Sequence, residues 1–399
     1  MAVTVLRQQF EVSYEYPVVF ARDVFAADSP VLREVLEAAG EGPHRVMTVI
    51  DSGLLEAAPG LPARIRQWAQ ANADRVSLTG EPLIFQGGEV CKTAPLEVQQ
   101  FYDRIADEAI CRHSFVLVLG GGAVQDAAGF AAATAHRGVK LIRMPSTVLS
   151  QNDAGVGVKN AINHGKRKNF VGTFAPPFAV VNDLNLLATL SPRDLRAGMA
   201  EAVKVAMIKD AHFFDFLHGE RKALAAFEED AMRYMIERCA ALHLAHIGSG
   251  GDPFEQGSAR PLDFGHWLAH KLEEVTFGSV RHGEAVAIGI MLDSLYSWRM
   301  NLISGDEMHA VTELFRDLGF GLFHYELNKI DISRALDEFR EHLGGQLCIT
   351  LPDGIGRGRE HNRIDAGLMA ECLKDLQRLA ADREINLTNL DQLELPLAV

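Results

Sequence analysis

The chain is poor in paired cysteine, in positive charge and in long apolar runs, and each shortage removes a class of protein. Its five cysteines, Cys91, Cys111, Cys239, Cys348 and Cys372, are scattered and form no CxxC pair. Neither a disulfide framework nor a thiolate zinc site is therefore expected. With 39 basic against 53 acidic residues the formal charge is −14, which opposes general attraction to nucleic acid or to an anionic membrane. An anionic ligand would need a local positive pocket. No stretch approaches the roughly 18 uninterrupted apolar residues of a membrane helix, and the opening MAVTVLRQQFEVSYEY lacks a basic region followed by an apolar one. The expectation is a protein of the reducing cytoplasm, with neither a membrane nor a nucleic acid as partner.

What is present is enough apolar sequence for more than one core. At 399 residues and 48% hydrophobic, the chain exceeds the size at which one core usually stops growing, so two domains are expected. Arg45 to Ile50 (RVMTVI) ends at Asp51-Ser52-Gly53, and Ser114 to Leu119 (SFVLVL) ends at Gly120-Gly121-Gly122. Both read as buried strands. The alanine-rich AVQDAAGFAAATAHRG then reads as a helix and VKLIRMPST as a further strand, giving an α/β chain with a parallel sheet. From about Ser191 onward, long amphipathic segments such as PRDLRAGMAEAVKVAMI predict a mainly helical second half. Between them IGSGGDPFEQGSARP reads as a loop feeding a helix that starts near Asp263.

Several clusters could carry chemistry. Gly120-Gly121-Gly122 stands between a strand and a helix, where glycine lets a backbone approach a diphosphate, although the spacing is not GxGxxG and a tight structural turn explains it too. Gly87-Gly88-Glu89 with Lys92 reads equally as an exposed loop. His266 and His270 lie four residues apart, on one helical face, and His282 follows. With Glu201 as the carboxylate they could hold zinc, the alternative being buried, hydrogen-bonded histidines. Between Ser146 and Asn169, Asp153, Lys159, Lys166, Arg167, Lys168 and Asn169 crowd among glycines. This stretch is either a basic surface loop or an anion pocket.

Taken in order, these residues resemble the sugar phosphate cyclases, the superfamily of 3-dehydroquinate synthase. The likeness runs through GGExxK at Gly87 to Lys92, GGGxxxDxxGFxAxxxxRG at Gly120 to Gly138, and P(S/T)TxLxxxDxxxGxK at Pro145 to Lys159. It continues through Lys168-Asn169, AExxK at Glu201 to Lys204, GHxxxH at Gly265 to His270 and HGEAV at His282 to Val286. The resemblance implies a Rossmann-like NAD-binding domain over residues 1–190 and an α-helical metal- and substrate-binding domain over 191–399, with the active site in the cleft between. It implies that Asp51, Glu89, Lys92, Gly120, Gly121, Gly122, Asp126, Ser146, Thr147 and Lys168 line the NAD site, and that Glu201, His266 and His282 bind zinc or cobalt. Asp153, Lys159, Asn169, Lys204 and His270 would contact the phosphorylated sugar, with Arg137 reaching it from the neighbouring subunit of a homodimer. The implied chemistry is transient oxidation of a ring hydroxyl by NAD, β-elimination of phosphate, re-reduction and intramolecular aldol closure, with no net redox change.

The sequence departs from 3-dehydroquinate synthase where that family holds a substrate carboxylate. A lysine, an arginine and an asparagine are expected there, and this chain aligns His243, Ala259 (beside Arg260) and Asp263. An acid near a substrate carboxylate is unfavourable, because like charges about 4 Å apart repel by roughly 4 kcal/mol at an effective dielectric near 20. Further on, FREHLGGQLCITLP replaces an Asp-Lys-Lys stretch and leaves Arg340 or His342 to supply charge. The pattern resembles cyclases of sedoheptulose 7-phosphate, and retention of His270 resembles 2-epi-valiolone synthases; Asp263 would accept hydrogen bonds from substrate hydroxyls. The alternatives are 3-dehydroquinate synthase itself, a metal-dependent polyol or glycerol phosphate dehydrogenase, and a non-catalytic binding protein on the same fold.

Overall fold

A computed structural model describes residues 3–93, 95–165, 167–249, 254, 261–342 and 345–381. Seven parallel strands build the first half: β1 (Val18–Ala21), β2 (His44–Asp51), β3 (Val76–Leu78), β4 (Leu83–Phe85), β5 (Phe115–Gly120) and β6 (Lys140–Pro145), with β9 (Ala179–Asp183) closing the set. β7 (Lys159–His164) and β8 (Arg167–Phe174) pair with each other only, antiparallel. The sheet order is β1-β9-β6-β5-β2-β3, and β4 pairs with the end of β2. β2 and β5 are almost wholly buried and alternate between two cores. Ile50, Leu117 and Leu119 face one, while Val49, Val116 and Val118 face the other. Burial on both faces is why these strands read as continuous apolar runs.

Between β2 and β5 the chain order reverses, since β3 and β4 lie to one side of β2 and β5 to the other. Ligands of open parallel sheets bind at such a switch point, beyond the carboxyl ends of the strands. Asp51 ends β2 and Gly120 ends β5, so the sequence-predicted glycine turn stands at that crevice. It opens helix α1 (Gly122–Thr134).

From Pro192 the chain is mainly helical. Four helices shape the site: α2 (Met199–Lys209), α3 (Glu229–Ser249), α4 (His266–Val275) and α5 (His282–Arg299). α2 and α5 are buried almost all round and form the centre of a third core. Two glycines bring α5 against the start of α4. Gly265 adopts φ 77°, and a Cβ on Gly289 would stand 1.9 Å from the carbonyl oxygen of Gly265. That close approach places His266 beside His282.

The basic stretch Ser146 to Asn169 is not one loop. It forms a single π-helical turn, Ser150–Ala154, followed by the β7–β8 hairpin around Gly165 at φ 59°. Lys166, Ala259, Arg260 and the side chain of His342 lie outside the described residues, as does most of the segment predicted to feed α4.

Candidate active site

The switch-point crevice gathers many of the residues expected to line a dinucleotide. Asp51 accepts a hydrogen bond from Gly53 N–H at 2.8 Å and another from Gly121 N–H at 3.4 Å. A Cβ on Gly87 would meet Asp51 Oδ1 at 2.4 Å, and one on Gly121 would meet Thr147 Cγ2 at 3.3 Å. Ser146 N–H donates to Gly120 O at 2.9 Å. Asp51, Gly87, Gly120, Gly121, Ser146 and Thr147 thus share one rim, with Gly122 opening α1 behind it. Lys92 is buried and donates to Asp126 Oδ2 at 2.7 Å. Burial alone would discharge it, but Asp126 and Glu89 outweigh that effect and hold it protonated.

A second cluster lies where three helices meet. Glu201 projects from the first turn of α2, while His266 and His282 are the first residues of α4 and α5. One ligand atom from each lies within 4.8 Å of the others. Both histidine Nε2 atoms stand 3.5 Å from Glu201 Oε1, a buried oxygen with no hydrogen-bond donor among the described residues. His266 Nδ1 is 3.0 Å from Phe264 O, and His282 Nδ1 is 3.3 Å from Glu273 Oε2. Those oxygens only accept, so each Nδ1 carries a proton, and each Nε2, turned to the carboxylate, is the atom available to a cation or to a second proton. Two imidazoles and a carboxylate, with histidines oriented from behind, fit a divalent ion such as zinc or cobalt. The field agrees: burial disfavours a charged His282, yet Glu201 and Glu273 push it up to about 10. A cation belongs at this point.

Lys204, one turn after Glu201, is buried against Glu201 Oε2. Burial would lower it, but Glu201, Asp153 and Asp263 hold it firmly protonated. Asp153, on the π-turn, lies 2.7 Å from His243 Nδ1 of α3, and although burial works to raise it, Lys204 and His243 hold it down to about 2. His270 lies at the exposed rim, its ring 5.6 Å from that of His266 and 6.3 Å from that of His282. One network therefore joins the metal cluster to Lys204, Asp153 and Asp263.

Other predicted residues lie elsewhere. Lys168 reaches Glu273 Oε1 at 3.4 Å, and the other oxygen of that carboxylate faces His282. Lys159 and Asn169 are exposed on the hairpin, the latter at φ 53° with its N–H on Asn163 Oδ1 at 2.8 Å. Arg137 is exposed beyond the far end of α1, about 20 Å from its glycine start by helix length. Within one chain it does not join the cluster. Arg340 pairs with Asp337 at 2.7 Å on an exposed helical face.

Two supporting carboxylates escape the sequence reading. Glu273 stands seven residues after His266, on the same face of α4, and that spacing was the available signal. Asp293 had none. Fully buried on α5, it accepts from Gly265 N–H at 3.0 Å and Trp267 Nε1 at 2.8 Å, and so holds the backbone before His266 and the indole after it. Burial pushes its carboxyl up to about 7, against those two donors. A folded-state value raised from 3.8 means that the protonated form stabilises the fold, and that this contribution is lost as pH rises through about 7. Asp293→Asn is expected to flatten the fall in thermal stability between pH 4 and 8 relative to the wild type, by up to about 4 kcal/mol. Parallel thermal unfolding curves across that range check it, and identical slopes would contradict the burial argument.

Comparison with known proteins agrees with this geometry. Residues 82–197 match the 3-dehydroquinate synthase N-terminal family model and residues 198–341 the C-terminal one. A 3-dehydroquinate synthase of Shewanella halifaxensis is 34% identical over 296 residues, covering 73% of this chain and 81% of that protein. The structure is similar to a 2-epi-5-epi-valiolone synthase from Streptomyces hygroscopicus subsp. jinggangensis with NAD+ and Zn2+ bound. There the TM-score is 0.82 and identity 26%, over 94% of this chain and 99% of the other. A 2-deoxy-scyllo-inosose synthase complexed with carbaglucose-6-phosphate, NAD+ and Co2+ shares the fold, at TM-score 0.71 and 24% identity over 90% and 96% of the two chains. Two family models that divide at the point where the sheet gives way to helices, and a relative aligned across both, leave one assignment: the chain belongs to the 3-dehydroquinate synthase family of sugar phosphate cyclases, enzymes that eliminate phosphate.

Proposed function

We propose that the chain cyclises sedoheptulose 7-phosphate to a valiolone-type cyclitol, 2-epi-valiolone in the favoured case, using NAD and a divalent ion. Residues 1–190 would form the dinucleotide domain and 191–399 the metal and substrate domain. Asp51, Glu89, Lys92, Asp126, Ser146, Thr147 and the three glycines would bind NAD, while Glu201, His266 and His282 would hold the ion. Lys168, which pairs with Glu273, would also line the NAD site. The carrying observation is the pairing of His243 with Asp153 and the nearness of Asp263 to Lys204. Where a carboxylated substrate meets a lysine and an asparagine, this chain offers His243 and the acid Asp263, beside Asp153 of the shared motif. A hydroxymethyl group donates hydrogen bonds to such acids, whereas a carboxylate is repelled by them.

When bound, NAD supplies a reversible hydride acceptor and the ion a Lewis acid at the reacting hydroxyl. Lys204, charged and buried between carboxylates, stabilises negative charge that develops on the substrate oxygen. Asp153 stays ionised and orients His243. Lys159 and Asn169 would hold the phosphate from the hairpin, with Arg137 completing that pocket from the second subunit of a cytoplasmic homodimer.

Steady-state phosphate release on sedoheptulose 7-phosphate and on the carboxylated heptulosonate 7-phosphate tests the substrate assignment. Turnover of the first alone is expected, with Asp263→Asn lowering its kcat/KM about 10- to 100-fold through loss of a charged hydrogen-bond acceptor. Turnover of the carboxylated sugar alone would make the chain a 3-dehydroquinate synthase.

A further inference from the structure

Arg143, on β6, is fully buried. The acid whose charge it feels is Asp126, which Lys92 already engages. Its guanidinium instead collects backbone carbonyls. Nη1 donates to the oxygens of Ala154 at 3.4 Å, Gly155 at 3.2 Å and Gly157 at 2.9 Å. Nη2 donates to Lys159 O at 3.0 Å and to Asn160 Oδ1 at 2.6 Å. The two carbonyls between are held from other sides. Tyr16 Oη donates to Val156 O at 2.8 Å, and Ala175 N–H donates to Val158 O at 2.9 Å. Every carbonyl from Ala154 to Lys159 is thereby taken.

Four carbonyl oxygens turned toward one point repel each other, and out of water they need several donors that converge there. A planar guanidinium supplies these in a fixed fork of N–H groups, and it stays charged throughout the working pH range. The arc it holds begins beside Asp153 and ends at Lys159.

We propose that Arg143 is a positioning residue, whose guanidinium gathers the 154–160 backbone so that Asp153 is held beside His243 and Lys204 while Lys159 is presented from the same arc. The inference rests on the substrate roles proposed above for Asp153 and Lys159. It separates Arg143 from a general core residue, because the hydrogen bonds of its Nη1 and Nη2 go to the 154–160 segment and none goes to a proposed cofactor or metal residue among the described residues.

The test compares wild type, Arg143→Ala and Arg143→Lys, each loaded with NAD and zinc. In Arg143→Ala, kcat for phosphate release is expected to fall about 100-fold, as for other small misplacements of catalytic groups. NAD affinity and bound zinc should stay at wild-type values. Millimolar guanidinium, but not equal sodium chloride, should restore turnover by refilling the carbonyl cluster. Amide hydrogen exchange over residues 150–165 should rise in the variant and fall again with guanidinium. Arg143→Lys, with one ammonium for four carbonyls, should show the same defects and carries the test if the alanine variant does not fold. Unchanged exchange over this segment, or loss of NAD and zinc in step with turnover, overturns the proposal. If the wild type releases phosphate from neither sugar, the functional reading fails, and the exchange measurement with guanidinium reversal still decides the part played by Arg143.

Discussion

Glu201→Gln is expected to strip the divalent ion from the protein and to lower phosphate release by roughly 1000-fold, the scale of about 4 kcal/mol of Lewis-acid stabilisation. Glutamine keeps the volume and one oxygen but removes the charge that both histidine Nε2 atoms face at 3.5 Å. Metal analysis after dialysis is expected to give close to one ion per wild-type chain and close to none in the variant. The substitution also removes a partner of Lys204, so thermal unfolding must be followed beside activity. A folded variant that retains both ion and turnover would end the proposed role of Glu201.

Lys204→Met is expected to be the most destabilising single change in the site. The ammonium is buried against Glu201 and compensates Asp153 and Asp263 as well. Removing one partner of such a group leaves uncompensated buried charge, which costs about 3–5 kcal/mol. The loss should be larger in the metal-free protein, because a bound cation neutralises part of the same field. An acid titration gives a second signature. Asp153 is held at about 2 against an ordinary 3.8, so its stabilising contribution is present above 3.8 and lost as pH falls toward 2. Without Lys204 the folded-state value should move back up, so this window narrows and the acid loss of stability that Asp153 contributes should shrink. Wild-type stability in Lys204→Met, with or without metal, would contradict the charge network.

The sheet was legible because its central strands are buried on both faces, which leaves unbroken runs such as RVMTVI and FVLVL in the sequence. The glycine turn was legible because it closes one of those runs. The metal cluster was legible in part: four-residue spacing puts His266 and His270 on one face, but the step to the candidate carboxylate Glu201 crosses some sixty residues, and no spacing fixes it. The hairpin was not legible. Its strands carry lysine, asparagine and histidine without a clean alternation, since β8 is exposed along most of its length. Asp293 and Arg143 were invisible for a related reason. Their partners are backbone groups and side chains of other elements, and no spacing within a sequence records which of these a buried side chain will meet.

The most direct test of the account is one reaction followed by two signals: phosphate released and NADH absorbance, with purified protein, limiting NAD, zinc and sedoheptulose 7-phosphate. The account predicts many phosphates released per NAD, no accumulating NADH, and a dephosphorylated cyclic product by mass. NADH rising in proportion to substrate consumed, with phosphate retained on the sugar, would show a dehydrogenase and contradict it.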